Sequence, residues 1–471
     1  MPDEKTPEAL QGALRAPPGS WAPARKLARK AIAPVEHFLS VEAASGIVLL
    51  IVAMLALAWA NSPWRHLYVG LWQAPLGLRL GAWSFERDLH FWINDGLMTV
   101  FFFVVGLEIR REIHHGELSQ LRRATLPLAA ALGGMMTPAL IFFAFNQGRP
   151  SAAGWGVPMA TDIAFAVGVL ALLGKRVAPA LRILLLALAV IDDVGAILVI
   201  AIFYASGFSV LGVAVAATGI AAILAMQWLG VRSLWAYVAP AIVVWAGAYA
   251  AGVHPTLAGV IVGLMTPVRA WYGADRFLDV AESNVTALRA KEDLDEQAML
   301  PHLDALDAAR REAVSPVERL QHALHGLVAF AIMPLFALAN AGVPLGEATL
   351  QGDGLRVFLG VTTGLVVGKV VGVVGLSWLA RRVGLTALPS GVGWKQVGVV
   401  GLCAGIGFTM ALFIAQLAFP PGPLLETAKL GILCASAISG VLAYVVGLKA
   451  LRPQHEGAAT CESEAEASTT A

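Results

Sequence analysis

Charge is scarce in this chain, since charged residues make up only 14% of its 471 residues. A typical soluble domain has about 25% charged residues, so the composition excludes an ordinary water-soluble fold. The few charges also balance, with 33 Lys and Arg against 32 Asp and Glu. Such a chain lacks the basic surface that nucleic acids require, and no nucleic-acid partner is expected. Hydrophobic residues make up 58% of the chain, which favours the lipid bilayer as its surroundings.

Cysteine is nearly absent. Cys403 and Cys434 lie within apolar runs, and Cys461 lies in a polar stretch near the C-terminus. An odd number of cysteines without a CxxC pair excludes a disulfide framework and a zinc site of that kind. We therefore predict no cofactor.

Long apolar runs fill most of the sequence. A transmembrane helix needs about 20 such residues and satisfies its own backbone in lipid, so we predict an all-α polytopic membrane protein with about twelve transmembrane helices. The predicted spans are 41–61, 91–109, 124–146, 155–174, 179–204, 209–229, 233–252, 254–267, 320–342, 355–380, 393–419 and 425–448.

Basic residues in alternate loops predict the orientation, because cytoplasmic loops are enriched in Lys and Arg. An even number of spans with both termini in the cytoplasm fits this distribution. The loops on the predicted cytoplasmic side carry Arg110, Arg111, Arg122, Arg123, Lys175, Arg176, Arg182, Arg232, Arg381 and Arg382.

These features predict five segments. A basic cytoplasmic tail (1–40) precedes spans one to eight (41–267). A charged cytoplasmic insert (268–318), either helical or partly disordered, separates these from spans nine to twelve (319–450), and a disordered cytoplasmic tail (451–471) follows.

The first external loop, residues 75–88, alternates Leu78, Leu80 and Ala82 around glycines. A two-stranded hairpin and an irregular loop are equally compatible with this pattern. A hairpin would offer an edge strand for pairing between protomers, which favours a homodimer.

Four ionisable residues interrupt the predicted spans: Asp162, Asp192, Asp193 and Lys369. Each costs about 2.5 to 3.5 kcal/mol on insertion scales, so each is a candidate functional residue. The alternative for a single Asp is a helix N-cap or a closed ion pair with Lys369. Because neighbours on a helix point about 100° apart, Asp192 and Asp193 cannot face one partner in the same way.

Proline and glycine predict breaks in two spans. Pro158 precedes Asp162 in the fourth span, and Gly401, Gly405 and Gly407 follow one another in the eleventh. Both spans are expected to unwind near the middle of the membrane, which would expose half-helix ends with partial charges. Close helix packing is the alternative role for a single glycine.

The sequence resembles the NhaA-type Na⁺/H⁺ antiporters of bacterial inner membranes. Matching strings occur in order, including "WINDGLMTVFFFVVGLEIRREI", "ATDIAFAVGVLALLGKRV", "IDDVGAILVIAIFY", "GVHPTLAGVIVG", "GLVVGKVVG" and "GIGFTMALFIA". The resemblance implies inverted-topology repeats, in which spans three to five match spans ten to twelve, and a crossing of unwound spans four and eleven.

The resemblance also implies roles for the residues of the predicted ion site. Asp193 would be the principal cation-binding and proton-exchanging carboxylate, with Asp192 beside it paired to Lys369. Together, Asp193 and Asp192 would bind the transported Na⁺. Thr161 and Asp162 match the unwound segment, where Asp162 would compensate the helix ends.

A second group of residues would line the ion pathway and set its response to pH. The family pattern commonly has Glu where this chain has Gln321, just before His322. For the histidines the alternative is an interfacial residue bonded to the backbone. The group comprises Asp95, Glu108, Glu112, His254, His322 and His325.

These residues predict an electrogenic antiporter that exchanges Na⁺ or Li⁺ for H⁺, not an enzyme. A Na⁺-coupled organic-solute symporter on the same architecture is the main alternative, although Lys369 at mid-membrane favours a proton role. An intramembrane aspartyl protease is disfavoured because no GxGD string accompanies the aspartates. A structural scaffold would not bury four charges.

Overall fold

The computed structural model describes residues 44–451, apart from 82, 206, 208, 271, 291–294 and 390. The predicted N-terminal tail, and all of the predicted C-terminal tail except residue 451, lie outside the described residues. Within the described part the chain is mostly helical.

The helices of the first half are α1 (Ala44–Ala60), α2 (Arg65–Trp72), α3 (Leu89–His115), α4 (Leu121–Asn146), α5 (Ile163–Leu172), α6 (Pro179–Phe203), α7 (Val210–Trp228), α8 (Val238–Ala251) and α9 (Thr256–Met265). Those of the second half are α10 (Ala274–Arg289), α11 (Glu296–Ala313), α12 (Pro316–Asn340), α13 (Gly352–Arg382), α14 (Trp394–Ala404), α15 (Phe408–Ala418) and α16 (Pro423–Ala450). Short 3₁₀ helices span Glu117–Ser119, Pro150–Met159, Gly174–Arg176 and Leu234–Tyr237, and π-helical turns interrupt α3 at Trp92–Leu97, α12 at Val328–Ile332 and α13 at Gly364–Gly368.

Among the described residues, eight helices are long and apolar enough to cross a bilayer, or up to eleven spans if each bent pair counts as one. The bent pairs are α1 with α2 at 114°, Pro150–Met159 with α5 at 45°, and α14 with α15 at 50°. The predicted eighth span, 254–267, forms only the ten-residue α9, which is short for a crossing of about 20 residues. The helix ends there because Thr266 precedes Pro267 and takes an extended conformation.

Residues 75–88 form a β-hairpin, so one of the two alternatives holds and the fold is not purely α-helical. β1 (Pro75–Leu80) pairs antiparallel with β2 (Trp83–Asp88). Gly81 has a φ of 63°, a left-handed conformation that glycine adopts at little cost in a tight turn.

The insert forms two helices, α10 and α11, which pack against each other. His302 Nδ1 lies 2.9 Å from Asn284 Oδ1 and links the two helices. An ion pair between Arg232 and Glu312, 3.0 Å long, joins the insert to the loop before α8. In its described part the insert is therefore helical.

Glycines bring α4 and α13 into close contact and so position Lys369. A Cβ on Gly133 of α4 would overlap the carbonyl oxygen of Gly372 on α13. A Cβ on the neighbouring Gly134 would lie 3.6 Å from Lys369 Cδ. The small residues therefore let the lysine stem lie against the backbone of α4.

Candidate functional site

The two predicted helix breaks exist, and they contact each other inside the protein. Residues 160–162 separate Pro150–Met159 from α5, and residues 405–407 separate α14 from α15. The Asp162 backbone N–H donates to Ile406 O at 2.7 Å. A Cβ on Gly407 would lie 3.1 Å from Ala160 O, and one on Gly405 would lie 2.6 Å from Leu365 O. Glycine at 407 therefore permits the close approach of the two breaks, and glycine at 405 permits the close approach of the second break to α13.

Asp162 joins the two half-helices that leave these breaks. Its Oδ1 accepts from Phe165 N–H at 3.0 Å, in the first turn of α5. Its Oδ2 accepts from Thr409 N–H at 3.1 Å and from Thr409 Oγ1 at 2.5 Å, in the first turn of α15. With 1% of its surface exposed, this carboxylate satisfies orphan amides of two helix ends at once. Thr409 was not among the predicted site residues.

Lys369 and Asp192 form a buried ion pair, with Nζ 2.6 Å from Oδ2 and neither side chain exposed. The Thr161 hydroxyl donates to the same Asp192 oxygen at 2.7 Å, with Ala404 O at 2.9 Å as a second acceptor. Lys369 Nζ also donates to Thr161 Oγ1 at 3.0 Å. The three side chains thus connect α13, the break before α5, and α6.

Asp193 Oδ1 has no hydrogen-bond partner, although only 1% of the residue is exposed. Asp192 Oδ1 also lacks a hydrogen-bond partner, whereas its Oδ2 is occupied by Lys369 and Thr161. Asp193 lies within electrostatic range of Glu108, Asp162 and Lys369. Unsatisfied buried carboxylate oxygens are costly and indicate a place for a proton or an ion.

A cation held here would be bound mainly by oxygen atoms. Among the described residues, no group of three or more His, Cys, Asp or Glu side chains is arranged to hold a metal ion. The two aspartates would therefore need help from hydroxyl and main-chain oxygens, such as those of Thr161 and the unwound segments. Oxygen-only ligands suit a hard cation such as Na⁺.

Asp95 and His254 form a separate pair. Asp95 Oδ1 lies 3.4 Å from His254 Nε2, and the Asp95 carbonyl accepts from Trp245 Nε1 at 3.1 Å. His254 Nδ1 lies 2.8 Å from Thr256 Oγ1. The partners of this histidine are therefore side chains, unlike the backbone-bonded alternative considered from the sequence.

The remaining predicted residues lie along one end of α3 and at the start of α12, which pack against each other. Glu108 and Glu112 are half-buried, and Glu112 Oε1 accepts from Glu117 N–H at 2.6 Å. His322 and His325 are exposed. The two histidines therefore lie apart from the buried charges.

A buried polar cluster at the hairpin end of α3 was not predicted; we call His90, Asn94, Asn340 and Gln416 the amide cluster. Asn94 Nδ2 donates to Gln416 Oε1 and Asn340 Nδ2 donates to Asn94 Oδ1, both at 2.8 Å. His90 Nε2 lies 2.9 Å from Asn340 Oδ1, to which Gln416 Nε2 also donates. The cluster joins α3, α12 and α15, and single amides within apolar runs are the sequence signal for it.

Comparison with known proteins gives concordant matches over nearly the whole chain. A family model described as Na⁺/H⁺ antiporter 1 matches residues 36–447. A protein of Sorangium cellulosum named Na(+)/H(+) antiporter NhaA 2 is 58% identical over 465 residues, covering 96% of this chain and 98% of that protein. The Na(+)/H(+) antiporter NhaA of Cupriavidus necator is 51% identical, covering 92% of this chain and 94% of the relative. The Bartonella henselae protein of the same name is 44% identical, covering 90% and 94%.

Proposed function

Because the chain belongs to the Na⁺/H⁺ antiporter 1 family, we propose that it exports Na⁺, with Li⁺ as an alternative cargo, in exchange for protons across a bacterial inner membrane. It is a transporter and not an enzyme, as its family membership establishes. The compared relatives are all named as antiporters, so the Na⁺-coupled solute symporter considered from the sequence is not supported.

The observation that carries the proposal is the unpartnered carboxylate oxygen of Asp193 in a buried site. A proton or a Na⁺ ion can neutralise such an oxygen, and each excludes the other. If the site faces the two sides of the membrane in turn, this competition produces exchange. Asp192 Oδ1, also unpartnered, would complete the cation site.

The buried pair of Lys369 and Asp192 supports a second proton-carrying group. Release of Asp192 to the cation would leave Lys369 without its partner, so one proton could be carried by this pair and another by Asp193. Two protons would then enter for each Na⁺ that leaves. Such exchange is electrogenic and is driven by the membrane potential as well as by the pH gradient.

The architecture we propose has twelve spans in inverted repeats, with the breaks beside α5 and α15 crossing at mid-membrane. The hydrogen bond from Asp162 N–H to Ile406 O supports such a crossing. In this arrangement α9 is a short span, and the basic ends of α3 and α13 face the cytoplasm together with the insert and both termini. The β-hairpin then lies outside, where it would pair two protomers into a homodimer.

Regulation by pH is proposed for two places. Glu108 and Glu112 lie on α3, which packs against the start of α12. His322 and His325 are exposed there and would face the cytoplasm in the proposed orientation. His254 contacts Asp95 nearer the other end of α3. Histidine changes its charge near neutral pH, which suits a switch.

The test measures Na⁺-induced loss of a pH gradient in everted membrane vesicles from about pH 6.5 to about pH 8.5, a window that brackets histidine titration. Asp193→Asn should abolish exchange while the protein still inserts, because an amide neither titrates nor offers an anionic oxygen. Asp279→Asn, at an exposed position of α10, is the matched control and should retain exchange. Normal exchange by a well-expressed Asp193→Asn variant would refute the assignment.

A further inference from the structure

The half-helix α15 begins in the protein interior, where its first backbone N–H groups need acceptors. Gly407 precedes the helix and has no side chain to cap it. Two groups from other elements meet this need instead. Asp162 Oδ2 accepts from Thr409 N–H, and Ser436 Oγ accepts from Phe408 N–H, both at 3.1 Å.

Ser436 is well placed to fix this helix end. It lies on α16, a continuous helix of 28 residues, and only 4% of its surface is exposed. We infer that Ser436 is a positioning residue of the ion site, which holds the start of α15 so that Thr409 meets Asp162. This inference rests on the proposed antiport function and adds a residue to the machinery of that site.

The effect would pass from Ser436 to the cation through two contacts. Loss of the acceptor for Phe408 N–H would let the first turn of α15 shift, and Thr409 provides both hydrogen bonds to Asp162 Oδ2. Asp162 in turn lies within electrostatic range of Asp193. Ser436 would therefore act on Na⁺ binding without touching the ion.

The chain offers a matched control on the same helix. Ser439 is fully buried, yet its Oγ has no hydrogen-bond partner. It flanks the same break, since a Cβ on Gly405 would lie 2.8 Å from Ser439 Oγ. Ser439→Ala therefore removes a hydroxyl from the same environment without removing a hydrogen bond.

The experiment compares the apparent KM for Na⁺ and the maximal exchange rate of the full-length protein in everted vesicles. Ser436→Ala should raise KM about five- to tenfold, the factor that one net hydrogen bond supplies, with a much smaller change in maximal rate. Ser439→Ala should leave KM within about twofold of wild type, since no hydrogen bond is lost. Equal KM values for the two alanine variants would overturn the inference.

A second pair of variants keeps the test decisive if Ser436→Ala fails to insert. The variants Ser436→Thr and Ser436→Val introduce side chains that match each other in shape, but only threonine retains the hydroxyl. Ser436→Thr should keep the wild-type KM and Ser436→Val should raise it. A change in thermal stability alone, with equal KM in the two variants, would show a merely structural role. Failure of the wild-type protein to exchange Na⁺ would refute the proposed function instead.

Discussion

Replacement of Lys369 by methionine tests the ion pair at the centre of the site. Lys369 Nζ and Asp192 Oδ2 are 2.6 Å apart, and both side chains are completely buried. Methionine preserves most of the apolar stem beside α4 but removes the charge. Asp192 then keeps one hydrogen bond, from Thr161, and loses its only ion-pair partner among the described residues.

The expected magnitude follows from the burial. Removal of one partner of a buried pair leaves an uncompensated charge and costs about 3–5 kcal/mol, whereas removal of both charges often costs much less. Lys369→Met should therefore lower the free energy of unfolding by about 3 kcal/mol or more. The double variant Lys369→Met with Asp192→Asn should be more stable than the sum of the single effects predicts, with a coupling of about 2 kcal/mol.

Chemical unfolding of the purified protein in detergent measures this coupling in a double-mutant cycle. The pair of Arg149 and Asp353 is the control, since its side chains are 42% and 37% exposed. An exposed pair should show a coupling of less than about 1 kcal/mol. Additive effects of the Lys369 and Asp192 substitutions would refute the reasoning that the two charges stabilise each other.

Two further predictions concern parts of the molecule outside the proposed ion site. Gln416→Leu removes hydrogen bonds to Asn94 and Asn340 in the amide cluster and should lower the free energy of unfolding by about 1–3 kcal/mol. Gln297→Leu, at an exposed position of α11, is the control. Equal melting temperatures for the Gln416→Leu and Gln297→Leu variants would contradict the prediction. Deletion of residues 76–84 removes the turn and all of β1 except Pro75, so that β2 loses its pairing partner. It should give active monomers by native mass measurement, whereas an unchanged dimer would exclude the hairpin as the interface.

Most helices of this fold could be predicted from apolar run length, because in lipid that length is set by the thickness of the bilayer. The predicted span 179–204, for example, corresponds to α6 (Pro179–Phe203). The predicted span 254–267 contains the helix α9 (Thr256–Met265), which is shorter than a typical crossing because Pro267 ends it. The sequence did not distinguish a hairpin from an irregular loop at 75–88, because an alternating pattern over so few residues is weak evidence for strands.

The charged members of the site were visible in the sequence because each is expensive in a membrane. Of the uncharged polar members, Thr161 was identified only through the family resemblance. Thr409 and Ser436 were not identified, since serine and threonine are common at helix contacts in membranes. Thr409 and Ser436 become significant only when the fold brings them to the ends of broken helices. Likewise, the absence of a hydrogen-bond donor at Asp193 Oδ1 is visible only in the folded structure.

The charges of the proposed ion site can be balanced in pairs, and the remaining charge indicates the valence of the cargo that this site would bind. Each helix N-terminus carries roughly half an elementary positive charge, so the ends of α5 and α15 together offset the single negative charge of Asp162, which contacts both. Lys369 offsets Asp192. Of these three aspartates, Asp193 alone lacks such a partner, and a single proton or a single monovalent cation neutralises it. A divalent cation would leave an excess positive charge in the interior, where an unpaired charge is strongly disfavoured. The arrangement of fixed charges therefore favours Na⁺ over Ca²⁺ or Mg²⁺ before any difference in ionic size is considered.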